Sequence, residues 1–116
     1  MAKKRVVVEF GMGTSLRRED YTEAAARAMR DALWRNSISV AELFGFPKDA
    51  MLIDVQIGVQ VPDKVDVAAL AKILPYGRAT ITVGHGGLDV PRPDGDGCTV
   101  IANCAISVSF DMEATT

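Results

Sequence analysis

The chain has 116 residues, with 13 Lys and Arg against 15 Asp and Glu, a formal charge of −2, 48% hydrophobic and 24% charged residues. This length specifies one domain, residues 1–116, with a core modest enough to gain from oligomerisation, and the composition excludes a disordered or fibrous chain. The acidic balance gives no general attraction to nucleic acid. The basic start, Met1 to Arg5, leads into an apolar run that stops at Glu9, too short for a secretion signal or a membrane span, so the expected location is the cytoplasm.

The β-branched run Val6-Val7-Val8 predicts a first strand over residues 5–10. A loop is then expected, followed by a helix over 21–36 whose apolar positions Tyr21, Ala25, Ala28, Met29, Ala32 and Leu33 recur at helical spacing. Asp20 and Glu23 form a capping box at its start, Glu23 and Arg27 an i,i+4 pair on its outer face. Alanine dominates the inner face, which lets the helix sit close to a sheet. Trp34 lies off that stripe and fits an interface, where Trp is enriched. Ser39-Val40-Ala41-Glu42 repeats the capping box and predicts a short helical turn, with Phe44, Phe46 and Pro47 as an apolar connector.

Residues 51–61 alternate strictly, with Met51, Ile53, Val55, Ile57, Val59 and Val61 on one face and Leu52, Asp54, Gln56, Gly58 and Gln60 on the other. Asp66 caps a second helix expected over 67–74, closed by Pro75 and Gly77. A third strand is expected over 79–83, then Gly84-His85-Gly86-Gly87, a Pro/Gly/Asp connector from 88 to 97, and a last strand over 98–110. From Asp111 onward the chain reads as a frayed tail.

The stretch Glu9 to Asp20 concentrates the candidate chemistry. Gly11 and Gly13 allow unusual backbone angles and close approach of a ligand. Gly11, Gly13, Thr14, Ser15, Arg17 and Arg18 are therefore the expected ligand-binding residues, with the guanidiniums and the helix N-terminus selecting an anion. Neither a dinucleotide fingerprint nor a nucleophile elbow is completed, since Arg17 and Arg18 stand where glycine is required. Candidate catalytic residues, by type alone, are Glu9, Ser15 and the single histidine, His85. Cys98 and Cys104 share one strand face about 20 Å apart, beyond disulfide reach. With one histidine and this cysteine spacing there is no zinc pattern, and Asp94-Gly95-Asp96-Gly97 lacks the remaining ligands of a calcium loop. No metal or cofactor is expected.

The element order β-α-β-α-β-β specifies an α+β domain, a four-stranded mixed sheet with both helices on one face. The uncovered face is expected to carry Glu9, Asp54, Gln56, Gln60, Thr80, Thr82, Asn103 and Ser107. The run Glu9-Phe10-Gly11-Met12-Gly13-Thr14-Ser15-Leu16-Arg17-Arg18-Glu19-Asp20-Tyr21-Thr22, continued by Ala24-Ala25 and by Asp31 to Ile38, resembles a family of short conserved bacterial proteins of unassigned function. The element order resembles the Bacillus chorismate mutase-like fold, which includes the C-terminal domain of tubulin and FtsZ. That resemblance implies a homo-oligomer and no particular reaction. The leading expectation is thus a small cytoplasmic homo-oligomer that binds a small anionic metabolite, without nucleic acid or membrane as partner. The alternatives are a structural or interaction module without ligand or catalysis, and a small hydrolase using Ser15 or His85.

Overall fold

The computed structural model describes residues 3–34, 52–74 and 78–111. The expected turn after Ser39, the Phe44 to Pro47 connector, the Trp34 side chain and the Pro75/Gly77 stop lie outside the described residues. The elements are β1 (Lys3–Ser15), α1 (Tyr21–Trp34), β2 (Leu52–Val59), a 3-10 turn (Pro62–Lys64), α2 (Val67–Ala71), β3 (Arg78–His85), β4 (Leu88–Pro91) and β5 (Cys98–Asp111). They build an α+β fold around a mixed sheet ordered β1-β5-β2-β3, with β4 on β5. Among the described residues the sheet has five strands rather than four, because Leu88 to Pro91 inside the expected connector pairs with Ile101 to Cys98. β5 runs antiparallel to β1, β2 and β4, while β3 is parallel to β2.

Alternation along the strands separates a covered from an open face. Ile53, Val55, Ile57 and Val59 of β2 and Val100, Ala102, Cys104, Ile106, Val108 and Phe110 of β5 are buried, in one core with the alanine face of α1 and Leu70 of α2. Leu70 is the buried anchor of α2. The open face carries Asp54, Gln56, Thr80, Thr82, Asn103 and Ser107, placed side by side by the register. Lys3 and Asp54 pair across it at 2.7 Å. Glu9 does not belong there: it pairs with Ile106, whose side chain is in the core, so Glu9 sits on the helix side of the edge strand. The register shift between Arg5 and Val7 changes the parity of β1, a feature invisible in its alternation.

The largest departure from expectation lies at Gly11 to Ser15. This segment is not a loop. β1 continues through Ser15, each residue from Gly11 to Ser15 paired with β5. The glycines serve packing. A Cβ on Gly11 would stand 2.3 Å from the Ala28 carbonyl oxygen and 2.5 Å from the Ala32 nitrogen, and one on Gly13 would stand 2.3 Å from both the Ala24 oxygen and the Ala28 nitrogen. Neither glycine has a positive φ. Two residues along a strand advance about 6.6 Å and four along a helix about 6.0 Å, so Gly11 and Gly13 stay in step with Ala24, Ala28 and Ala32. Small residues on both elements bring the α1 backbone directly onto β1.

Candidate functional site

Where β1 ends, residues 16–20 cross to α1, and three contacts fix this loop. The Ser15 hydroxyl accepts from the Asp20 N–H at 3.1 Å. The Glu19 carboxylate accepts from the Cys98 N–H at 2.8 Å, tying the loop to the start of β5. The Thr99 hydroxyl donates to the Leu16 carbonyl at 3.4 Å. Glu19 itself adopts a left-handed φ of 49°, a conformation costly for a side chain other than glycine and held here by that carboxylate contact. The Asp20 carboxylate accepts from the Glu23 N–H at 3.0 Å and caps α1.

Beside this loop lies an open cleft of about 540 Å³, lined by residues 15–18, Asp20, Glu23 and Arg27. Its charges are unequally engaged. Arg27 donates to the Thr14 carbonyl at 2.7 Å and pairs with Glu23 at 3.1 Å, and Arg30 approaches the same Glu23 at 3.9 Å. Arg17 and Arg18 are exposed, and among the described residues they form no hydrogen bond or ion pair. The cleft therefore holds two unspent guanidiniums beside a helix N-terminus whose Glu23 amide is already taken by Asp20.

Ser15, Arg17 and Arg18 of the expected set line this cleft; Gly11, Gly13 and Thr14 do not. Gly11 and Gly13 lie under α1, and the Thr14 carbonyl is occupied by Arg27. The catalytic candidates are not assembled together. Ser15 is 4% exposed and its hydroxyl closes the loop. His85 ends β3, at the same end of the sheet as Ser15 but on the opposite edge, with β5 and β2 between them. His85 lines a separate shallow depression of about 390 Å³ on the open face, with Phe10, Gln56, Thr82 and Asn103 among its walls. Among the described residues no three His, Cys, Asp or Glu side chains group as a metal ion requires.

Sequence reasoning missed the contacts between distant segments. Tyr21 opens α1, and its buried hydroxyl donates to the Asp89 carboxylate of β4. Burial, then that hydrogen bond and the nearby negative charge of Asp89, Glu19 and Cys98, push the phenol up to about 12. The Lys64 ammonium stands 5.6 Å from the centre of the Tyr21 ring. Asp31 accepts from the Met12 N–H at 3.0 Å, which with Arg27 on Thr14 covers the outer edge of β1. Burial raises the Cys104 thiol to about 12. Both cysteines are free. Nothing in one sequence signals partners 68 or 79 positions apart.

The fold is thus a one-sided α+β sheet whose arginine-bearing loop sits at the strand-to-helix junction. The chain belongs to a family of conserved hypothetical proteins, Lin0512_fam, which matches residues 5–108. It is also similar to an FtsZ-like protein of unknown function from Nostoc punctiforme PCC 73102, known from its crystal structure, with a TM-score of 0.86 and 34% identity over 97% of this chain and 99% of that one. No curated protein matches. No helix among the described residues is long and apolar enough to cross a membrane.

Proposed function

We propose that this protein binds a small anionic molecule in the cleft between residues 15–18 and the first turn of α1, with Arg17 and Arg18 as its principal contacts. One observation carries the reading: these two guanidiniums line a pinned cleft and have no partner among the described residues, whereas Arg27 beside them is engaged. A planar fork matches a carboxylate or phosphate, and a loop already fixed by Ser15, Glu19 and Thr99 has little ordering left to undergo on binding. Calorimetric titration with phosphate, pyrophosphate and citrate tests it. Each charge-assisted contact is worth about 1.5–3 kcal/mol, so Arg17→Ala and Arg18→Ala each weaken binding at least about tenfold. No binding to any of the three probes, or unchanged affinity in the double variant, overturns the reading. The cytoplasm is the compartment this reading assumes, in keeping with two free thiols.

A second reading is an assembly module, favoured by large apolar side chains on the uncovered face: Phe10, Met12 and Leu88 are 66%, 56% and 59% exposed. Their register partners Ala105, Asn103 and Ile101 all lie on the open side of β5. On this second reading a second copy of the chain would cover that face. Were this face the interface, a Phe10→Ser/Met12→Ser variant would lose the wild-type oligomer in sedimentation; an unchanged oligomer refutes this second reading.

A further inference from the structure

The two edges of the sheet are treated differently. β1, at one edge, carries Lys3, Arg5 and Glu9, is bulged between Arg5 and Val7, and has its outward Met12 N–H and Thr14 carbonyl capped by Asp31 and Arg27. These are the devices that stop a strand edge from pairing with another chain. β3, at the other edge, has none of them. It reads Arg-Ala-Thr-Ile-Thr-Val-Gly-His, with no proline, no acidic residue, and no basic residue between its ends. Its register with β2 is unbroken from Arg78 to His85. Among the described residues no strand pairs with its outer side and no side chain hydrogen-bonds its backbone. Half of its residues turn an N–H and a carbonyl outward.

We infer that the outer edge of β3 is an interaction surface for a second copy of this chain, the two β3 strands pairing antiparallel about a two-fold axis into one continuous sheet. The occupant follows by elimination and self-complementarity. A β1 edge from another copy is blocked at Met12 and Thr14, and a β3-to-β1 contact would be head-to-tail and open-ended. β3 against β3 closes on itself. Opposed residues of an antiparallel pair share a face, so the axis must pass through a residue and not between two. The registers that pair most of the strand place either Ile81 or Thr82 on the axis. With Ile81 there, Ala79 opposes Val83 and Arg78 opposes Gly84. With Thr82 there, Ile81 opposes Val83 and Thr82 opposes itself. Either way β-branched side chains meet on the helix side, where Ile81 and Val83 already pack against the core, and no like charges face each other.

Sedimentation velocity and cross-linking of the full chain test this. The wild type is expected as a dimer. On a Cys98→Ser background, which leaves only the buried Cys104, mild oxidation should convert most of the protein to disulfide-linked dimer in one of the variants Ile81→Cys and Thr82→Cys, with only a trace in the other. On the axis the paired Cα atoms lie about 5 Å apart; one residue off it they lie about 8 Å apart, beyond disulfide reach. Thr82 is exposed, so its substitution does not disturb the core. The Phe10→Ser/Met12→Ser variant should remain dimeric. A monomeric wild type, a dimer that cross-links at neither position, or a dimer abolished by the Phe10/Met12 changes overturns the inference. None of these outcomes bears on anion binding by Arg17 and Arg18.

Discussion

Replacing Gly13 by alanine adds one methyl group at a place where no side chain can move aside. Its nearest neighbours would be the Ala24 carbonyl oxygen and the Ala28 nitrogen, both at 2.3 Å, with the Arg27 carbonyl carbon at 2.7 Å. All three belong to the α1 backbone, so relief requires shifting the whole helix away from β1. Overpacking a core typically costs about 1–3 kcal/mol, and a clash with a helix backbone belongs at the upper end. An unfolding entropy of about 2.1 cal/mol/K per residue over 116 residues converts each kcal/mol to about 4 °C. Gly13→Ala should therefore lower the Tm by about 12 °C, read by circular dichroism. Gly84→Ala is the matched control: the added Cβ would meet nothing within 4 Å and the backbone is not left-handed, so the change should be neutral or stabilise by up to about 1 kcal/mol. If Gly13→Ala melts within about 2 °C of wild type, the close helix-on-strand contact is not what requires glycine there.

Tyr21→Phe removes the hydroxyl that donates to Asp89 and leaves a carboxylate oxygen without it, at a cost of about 1–3 kcal/mol in guanidinium unfolding at neutral pH; an unchanged midpoint would refute the contact. Because the fold raises Tyr21 from 10.0 and Cys104 from 9.0, both to about 12, it favours their protonated forms. That stability is fully present below pH 9 and is lost as the pH climbs from 9 toward 12, where the unfolded chain ionises first. The unfolding midpoint should fall across this window, less steeply in Tyr21→Phe, and a flat profile would refute the sign. In native protein an aromatic disulfide reagent should titrate Cys98 promptly and Cys104 only on unfolding, since Cys104 is 3% exposed. Asp66→Ala removes the acceptor of the Ala69 N–H at 3.2 Å and should cost about 1 kcal/mol.

Much of the architecture was legible because periodicity reports burial directly. The alternation in β2 and β5 and the alanine stripe of α1 correspond to faces that are buried in the structure. Asp20 and Asp66 cap the helices they were expected to cap. The sequence misled where a local rule met a tertiary demand. Two glycines in three residues signal a turn when read alone. Read with their neighbours, Val8, Phe10, Met12 and Thr14 alternate with Glu9, Gly11, Gly13 and Ser15, so the period of two runs on through the glycines. The small set then matches the small face of the following helix. β4 escaped notice because its four residues, ending in proline, lie among turn formers and become a strand only by pairing with β5. The partners of Tyr21 and Glu19 escaped because they come from β4 and β5, and no local pattern encodes a contact of that range.

The structure divides the motif that runs from Glu9 to Thr22 at Ser15. Before that residue it is strand, and its glycines answer a steric requirement set by Ala24, Ala28 and Ala32. After it the backbone leaves the sheet, is fastened to Cys98 and Thr99, and turns two arginines into a cleft. The first part positions the second: α1 can begin directly over the end of β1 only because nothing separates the two backbones. The halves should therefore fail in different ways. Gly13→Ala should lower the melting temperature, and at temperatures where the variant stays folded, its anion affinity should fall with the misplaced helix. Arg17→Ala should leave the melting curve of the unliganded protein in place and remove the ligand-dependent rise in Tm, which scales as RT ln(1 + [L]/Kd) for a ligand that binds only the folded state. A Gly13→Ala protein that binds phosphate, pyrophosphate and citrate as wild type does, measured well below its own transition, would show that the cleft does not depend on the close approach of α1 to β1.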